Sequence, residues 1–299
     1  MGCCAVSPAP QPIDRGSTMK SNQKNTMYIF WAGAIMVCLA LVLFALLFSS
    51  CTKAPNPAAK TPPPSESLAP SDSGGTAGEA TPNPTAPVET PPSWELAETE
   101  DAGWEYVDRM TFLGDSTTHG LVYYGVLSDK KDTTQVWTPA SGTLALFNQS
   151  TATIVYPETG EEITIVDAVT RKKPEYLVIT LGVNGVAFMN EEYFTSEYIA
   201  LIESIQAASP DTKIICNSIY PVADNYEELQ SINNEKIVAA NGWIKNAAET
   251  TGTKYADSAP VLTGEDGFLI QDLSNGDGIH LSSAGYLKVL DYLRTHAYQ

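Results

Sequence analysis

The strongest constraint on the fold is an alternation of short apolar runs with helical stretches, which begins near residue 109 and continues towards the carboxyl terminus. Short apolar runs between turn signals are typical of buried strands, and longer segments with apolar residues three and four apart are typical of helices. Strands that alternate with helices indicate a parallel sheet with helices on both faces. We therefore expect residues 94–299 to form a single α/β domain, a three-layer sandwich around a mainly parallel sheet.

The individual elements follow from the same patterns. Buried strands are predicted at 109–114, 175–182, 212–221 and 254–259, with two further short strands around a turn inside 151–166. Helices are predicted at 166–174, 196–210, 233–252 and 282–297. Ser196 is the expected N-cap of the second of these helices.

The region before the domain divides by composition. Residues 28–48 contain no charged side chain, and about 20 apolar residues in a helix span a hydrocarbon core of ~30 Å. We expect a transmembrane helix there, preceded by a cytoplasmic tail at 1–27. The Pro-, Ala-, Ser- and Thr-rich stretch at 49–93 is predicted to be a disordered linker, because it cannot bury enough apolar surface to offset its conformational entropy.

Basic residues on the two sides of this segment give its orientation. Three precede the apolar run and two follow it, a slight bias that favours a cytoplasmic amino terminus; they are Arg15, Lys20, Lys24, Lys53 and Lys60. The domain is then expected outside the cell membrane, held by a single span. A lipoprotein anchored at Cys51 is the alternative.

The net charge narrows the range of partners. The chain carries 17 basic and 35 acidic residues, a formal charge of −18. Such a surface repels nucleic acid and anionic headgroups, and it suits a domain that acts on neutral or cationic molecules.

Polar groups that could carry chemistry follow two of the predicted strands. Ser116 comes at the end of the first strand and Asn184 comes after the second, while Asp277 and His280 share the loop before the last helix. A hydroxyl nucleophile needs a neighbouring base, usually histidine, and that histidine needs an acceptor on its other ring nitrogen. Ser116, His280 and Asp277 supply these three groups. The side-chain amide of Asn184, together with backbone N–H groups, could bind a developing oxyanion.

The three blocks in which these residues occur resemble those of the SGNH, or GDSL-type, serine hydrolases. The blocks are "FLGDS" at 112–116, "LGVN" at 181–184 and "DGIH" at 277–280. The resemblance implies a flavodoxin-like fold in which Ser116 is the nucleophile, His280 the base and Asp277 its partner. It implies three oxyanion donors: the N–H of Ser116, the amide of Asn184 and a glycine between the first two blocks. Gly142 is the candidate for that glycine, with Gly125 and Gly160 in the same interval. No metal or organic cofactor is implied.

Several functions remain compatible with this pattern. The leading hypothesis is an extracytoplasmic esterase that hydrolyses short-chain acyl esters, with an acetylated cell-surface or environmental glycan as substrate. A lysophospholipase or thioesterase acting on longer chains is the alternative within hydrolases. Acyl transfer to a sugar and a glycan-binding domain without turnover also stay open.

Overall fold

The computed structural model describes residues 93–299. The predicted tail at 1–27, the predicted membrane span at 28–48, Cys51 and all but the last residue of the predicted linker lie outside the described residues. Between residues 93 and 299, no helix combines the length and the hydrophobicity needed to cross a bilayer.

A five-stranded parallel sheet forms the centre of the domain. Its strands are Met110–Gly114 (β1), Val136–Trp137 (β2), Tyr176–Thr180 (β5), Lys213–Asn217 (β6) and Lys254–Ala256 (β7). They lie in the order β2-β1-β5-β6-β7, and each neighbouring pair is parallel. The predicted pair of short strands is an antiparallel hairpin of β3, Thr153–Tyr156, and β4, Glu161–Thr164.

Within residues 93–299, six α-helices cover the two faces of the sheet. They are α1 (Trp104–Val107), α2 (Ser116–Tyr123), α3 (Ile165–Lys172), α4 (Glu191–Ala208), α5 (Asn234–Thr251) and α6 (Ser283–Thr295). Successive side chains of a strand point to opposite faces, so Leu113 joins the core beneath α3, α4 and α5, whereas Phe112 joins the core beneath α1, α2 and α6. The predicted three-layer α/β architecture is confirmed.

Helix α4 corrects one boundary of the sequence prediction. It begins at Glu191, and its N-cap is Asn190, whose side-chain oxygen accepts from the N–H of Tyr193 at 2.9 Å. Ser196 was therefore the wrong cap: it lies inside the helix, where its hydroxyl donates to the carbonyl of Tyr193. Helices α1 and α2 and the two-residue strand β2 have no counterpart among the predicted elements.

Candidate active site

Ser116 lies where strand β1 passes into helix α2. Strand β1 ends at Gly114, and Asp115 caps the helix by accepting from the N–H of Thr117 at 2.9 Å and from its hydroxyl at 2.7 Å. A Cβ atom on Gly114 would collide with Thr118 and with a carbonyl of β5, so only glycine allows the helix to approach so closely. Ser116 is thus held at the carboxyl edge of the sheet. Its N–H lies in the first turn, where the helix itself provides no acceptor.

The loop before helix α6 brings His280 to this edge. Backbone hydrogen bonds anchor the loop: the N–H of Asn275 donates to the carbonyl of His280 at 3.0 Å, and the N–H of Ala223 donates to the carbonyl of Gly278 at 2.8 Å. Gly278 has φ +86°, and a Cβ there would lie 2.7 Å from the Cα of Tyr226. The tight packing of Gly278 against Tyr226 fixes where the imidazole sits.

Ser116, His280 and Asp277 form one continuous chain of hydrogen bonds. The Nε2 atom of His280 lies 2.8 Å from the Oγ of Ser116, and its Nδ1 lies 2.7 Å from the Oδ2 of Asp277. A carboxylate only accepts, so Nδ1 carries the proton and Nε2 is left with a lone pair that accepts from the Ser116 hydroxyl. The fold has brought together two residues that are 164 positions apart in the chain.

Asp277 is held in its ionised form. Burial raises the pKa of its carboxyl, but hydrogen bonds from the backbone N–H groups of His280 and Ile279, from the His280 ring and from the Asn275 side chain outweigh that effect and lower the pKa to about 2. The two backbone bonds are each 2.9 Å long. A charged carboxylate beside Nδ1 stabilises an imidazolium whenever His280 takes up a proton.

Asn184 lies beside Asp115, and both hydrogens of its amide have acceptors. The Nδ2 atom donates to the Oδ2 of Asp115 at 3.0 Å and to the carbonyl of Leu144 at 3.1 Å. Asp115 is fully buried. Burial raises its pKa to about 6, even though hydrogen bonds from Thr117 lower it and a protonated His280 would lower it further. This carboxyl orients the Asn184 amide and is unusually easy to protonate.

Gly142 is the glycine of the three candidates that lies next to the serine. A Cβ built on Gly142 would come 3.9 Å from the Cβ of Ser116, whereas one on Gly125 would meet Lys130 and one on Gly160 would meet nothing within 4 Å. The N–H of Gly142 donates to the carbonyl of Pro139 at 2.9 Å. Gly142 and Asn184 are therefore close to the serine but already paired, and their roles as oxyanion donors stay predictions.

Metal ligation has no candidate in the described part of the chain. Across residues 93–299, no three side chains of His, Cys, Asp or Glu are grouped so that they could hold an ion.

Two features of the site were missed by sequence reasoning. Asn275 donates from its side chain to the Oδ2 of Asp277 at 3.2 Å and accepts the N–H of the same residue at 2.9 Å. Its position in "NGDG", a turn-like stretch, was the available signal. The Leu144 carbonyl that accepts from Asn184 has no sequence signal, because any residue carries one.

The sequence family can be assigned from a match that covers most of the domain. Residues 112–288, more than half of the 299-residue chain, match the GDSL-like lipase/acylhydrolase family. The chain belongs to this family. As a GDSL-like acylhydrolase it is a hydrolase of ester bonds. No curated protein matches the chain in sequence.

Solved structures similar to this GDSL-like acylhydrolase come from bacteria and fungi. A GDSL-like lipase from Bacteroides thetaiotaomicron is 19% identical, with a TM-score of 0.46 over 63% of this chain and 87% of its own. A carbohydrate esterase family 3 protein from Talaromyces cellulolyticus is also 19% identical, with a TM-score of 0.42 over 62% of this chain and 93% of its own. Similarity at this level carries no information about the substrate.

Proposed function

We propose that Ser116, His280 and Asp277 are the catalytic triad of a serine esterase that removes short acyl groups, above all acetyl, from a cell-surface or environmental glycan. The observation that carries the proposal is the chain of two hydrogen bonds from the Ser116 hydroxyl through His280 to the Asp277 carboxylate, at 2.8 and 2.7 Å. A serine paired in this way with a neutral imidazole is an activated nucleophile.

The geometry supports a two-step reaction. Ser116 Oγ attacks the acyl carbon while Nε2 of His280 accepts the hydroxyl proton, and the resulting imidazolium is stabilised by Asp277. Collapse of the tetrahedral intermediate breaks the bond to the alcohol, which leaves with the proton from Nε2. Water then attacks the acyl-serine with His280 again acting as base, and the carboxylic acid and the free serine are released.

The oxyanion of the intermediate forms beside the N-terminus of helix α2. The N–H of Ser116 belongs to the first turn of the helix, where the helix dipole also favours negative charge. Asn184 and Gly142 flank the same region, through the contacts already described. We assign the Asn184 amide as the side-chain donor and the Gly142 N–H as the third donor.

Hydrolysis of 4-nitrophenyl acetate tests the catalytic assignment. We expect turnover by the wild type and a loss of at least about 10³-fold in kcat for Ser116→Ala and for His280→Ala, since neither variant can complete proton transfer. Ser128→Ala is the matched control, because this exposed serine bonds to Asp108 ahead of strand β1, at the opposite end of the sheet. Full turnover in Ser116→Ala would contradict the mechanism.

The acyl group and the acceptor need separate assays. A series of nitrophenyl esters from acetate to octanoate should show kcat/KM highest for acetate; a maximum at octanoate would favour the lysophospholipase or thioesterase alternative. Acetate release from O-acetylated wall polysaccharide tests the glycan. Appearance of the acyl group on added sugar instead of water would favour an acyltransferase.

We also propose that the esterase is held at the cell membrane with its domain outside. The support is the uncharged apolar run at 28–48 and the linker composition that follows it. Protease added to intact cells should cleave the domain from its anchor and release activity. A Cys51→Ala substitution separates the two anchors: it leaves a membrane-spanning protein unprocessed as before, whereas it abolishes incorporation of labelled fatty acid into a lipoprotein and blocks removal of residues 1–50.

A further inference from the structure

Two phenylalanines close in sequence to Leu144 and Asn184 are exposed to solvent. Phe147 is 49% exposed and Phe188 is 61% exposed. Their ring centroids are 5.7 Å apart with an interplanar angle of 64°, an edge-to-face pair. The rings contact each other rather than joining either core, so their apolar faces remain available to a ligand.

The chain limits how far this aromatic pair can lie from the loops of the candidate site. Phe147 follows Leu144 by three residues, and Phe188 follows Asn184 by four, so their Cα atoms lie within roughly 11 and 14 Å of those two residues. The carbonyl of Leu144 accepts from Asn184, and this hydrogen bond joins the two loops. The pair is therefore within reach of a short oligosaccharide whose ester group is at Ser116.

Backbone turns order the two loops that carry the rings. The N–H of Phe188 donates to the carbonyl of Gly185 at 3.1 Å, and the N–H of Asn148, next to Phe147, donates to the carbonyl of Ala145 at 3.2 Å. A loop backbone ordered in this way loses little conformational freedom when a ligand binds, which favours affinity.

The chemistry of the pair favours a sugar ring over an acyl chain. An acyl chain gains most from a pocket that encloses it, whereas these rings are half exposed and open to solvent. The C–H groups on one face of a pyranose suit the negative face of an aromatic ring, and the hydroxyl groups stay in water. The chain's charge of −18 disfavours an anionic sugar.

We propose that Phe147 and Phe188 form a subsite that stacks against a neutral pyranose in the alcohol part of the substrate, so that the enzyme prefers O-acylated glycans to small esters. This proposal rests on the proposed esterase function. It gives the two rings a role in substrate specificity.

The test compares O-acetylated xylo-oligosaccharides with 4-nitrophenyl acetate. In Phe147→Ala/Phe188→Ala we expect the ratio of kcat/KM for the oligosaccharide to kcat/KM for nitrophenyl acetate to fall by about 10-fold or more, mainly through KM. Phe147→Trp and Phe188→Trp should keep the ratio near that of the wild type, because they retain aromatic faces. Trp104→Ala, which removes another exposed aromatic ring from helix α1, should leave it unchanged.

Two outcomes would overturn the subsite. One is an unchanged ratio in the double alanine variant. The other is a loss that appears with nitrophenyl octanoate and not with the oligosaccharide, which would assign the rings to the acyl chain.

A binding measurement keeps the subsite distinct from the esterase proposal. Calorimetric titration of Ser116→Ala with unacetylated xylo-oligosaccharide needs no turnover. We expect binding that is lost when both phenylalanines are also replaced by alanine. Binding without any esterase activity in the wild type would refute the esterase alone, whereas esterase activity with no such binding would refute the subsite alone.

Discussion

Replacing Asp115 by asparagine tests how the buried carboxyl couples stability to catalysis. Burial raises its pKa in the folded protein to about 6 from an ordinary value of 3.8. The folded state therefore binds the proton more tightly than the unfolded state does, and this contributes stability that is complete below the unfolded pKa and is lost as pH rises through about 6. A difference of roughly two pKa units corresponds to about 3 kcal/mol.

Asparagine cannot ionise, so this contribution disappears in the variant. Between pH 5 and pH 8 the wild type should lose about 1.4 kcal/mol of unfolding free energy that Asp115→Asn does not lose. The hydrogen bonds lost in the variant lower its stability by the same amount at both pH values, so they do not affect this difference. Urea unfolding at both pH values measures the change, with the exposed Asp211→Asn as control. A difference from the wild type that is independent of pH would refute the reasoning.

The same variant should lose activity. Asparagine resembles a protonated Asp115, so its amide would face the Nδ2 of Asn184, donor against donor, where the structure has a hydrogen bond of 3.0 Å. A hydrogen bond to a charged group contributes about 1.5–3 kcal/mol, and we expect kcat on nitrophenyl acetate at pH 8 to fall roughly 10- to 100-fold. A wild-type kcat would show that Asn184 does not depend on Asp115 for its orientation.

Two further substitutions probe the loop that carries the histidine. Asp277→Asn should lower kcat by roughly 10²- to 10⁴-fold with little change in KM, because His280 loses the carboxylate that fixes its tautomer; steady-state kinetics measures this, and an equal rise in KM would contradict it. Gly278→Ala should lower the free energy of unfolding and also kcat, because the added methyl carbon meets Tyr226 at 2.7 Å and φ is +86°. Urea unfolding and the same ester assay check this prediction, and a Gly278→Ala variant with the unfolding free energy and kcat of the wild type would refute it.

The sequence predicted the parts of the fold that depend on local pattern. Strands β1, β5 and β6 are predominantly apolar, because both faces of a parallel sheet are covered. Helix α5 ends at Thr251, and Gly252 is its C-cap in the left-handed conformation, close to the predicted end of the helix. The helix at Ser116 was missed for a physical reason. Its sequence, STTHGLVY, contains β-branched residues and a glycine with low helix propensity. Tertiary contacts stabilise it instead, including the hydroxyl of Tyr286, which donates to the carbonyl of Thr117 at 2.6 Å.

The candidate site likewise contains residues that the sequence could predict and residues that it could not. Ser116, Asp277 and His280 could be named because each is a specific chemical type next to a recognisable element boundary. The Phe147–Phe188 pair could not, because two loops far apart in sequence produce it and neither has a periodic pattern. The carbonyl acceptor of the Asn184 amide could not be predicted either, because it depends on the distance between this side chain and the backbone of another loop.

The donors around Ser116 are largely paired before any substrate binds. The Asn184 amide gives one hydrogen to Asp115 and the other to the Leu144 carbonyl, so an oxyanion must displace one of these acceptors. A neutral carbonyl is the weaker acceptor, and bonds to charged oxygen are roughly twice as strong as neutral ones. The bond to Leu144 should therefore break and the bond to Asp115 should remain. In a crystal structure with a methylboronate bound to Ser116, the distance from Nδ2 of Asn184 to the Leu144 oxygen should exceed hydrogen-bonding range while Nδ2 stays bonded to Asp115; the reverse pattern would mean that Asp115 competes with the oxyanion instead of orienting its donor.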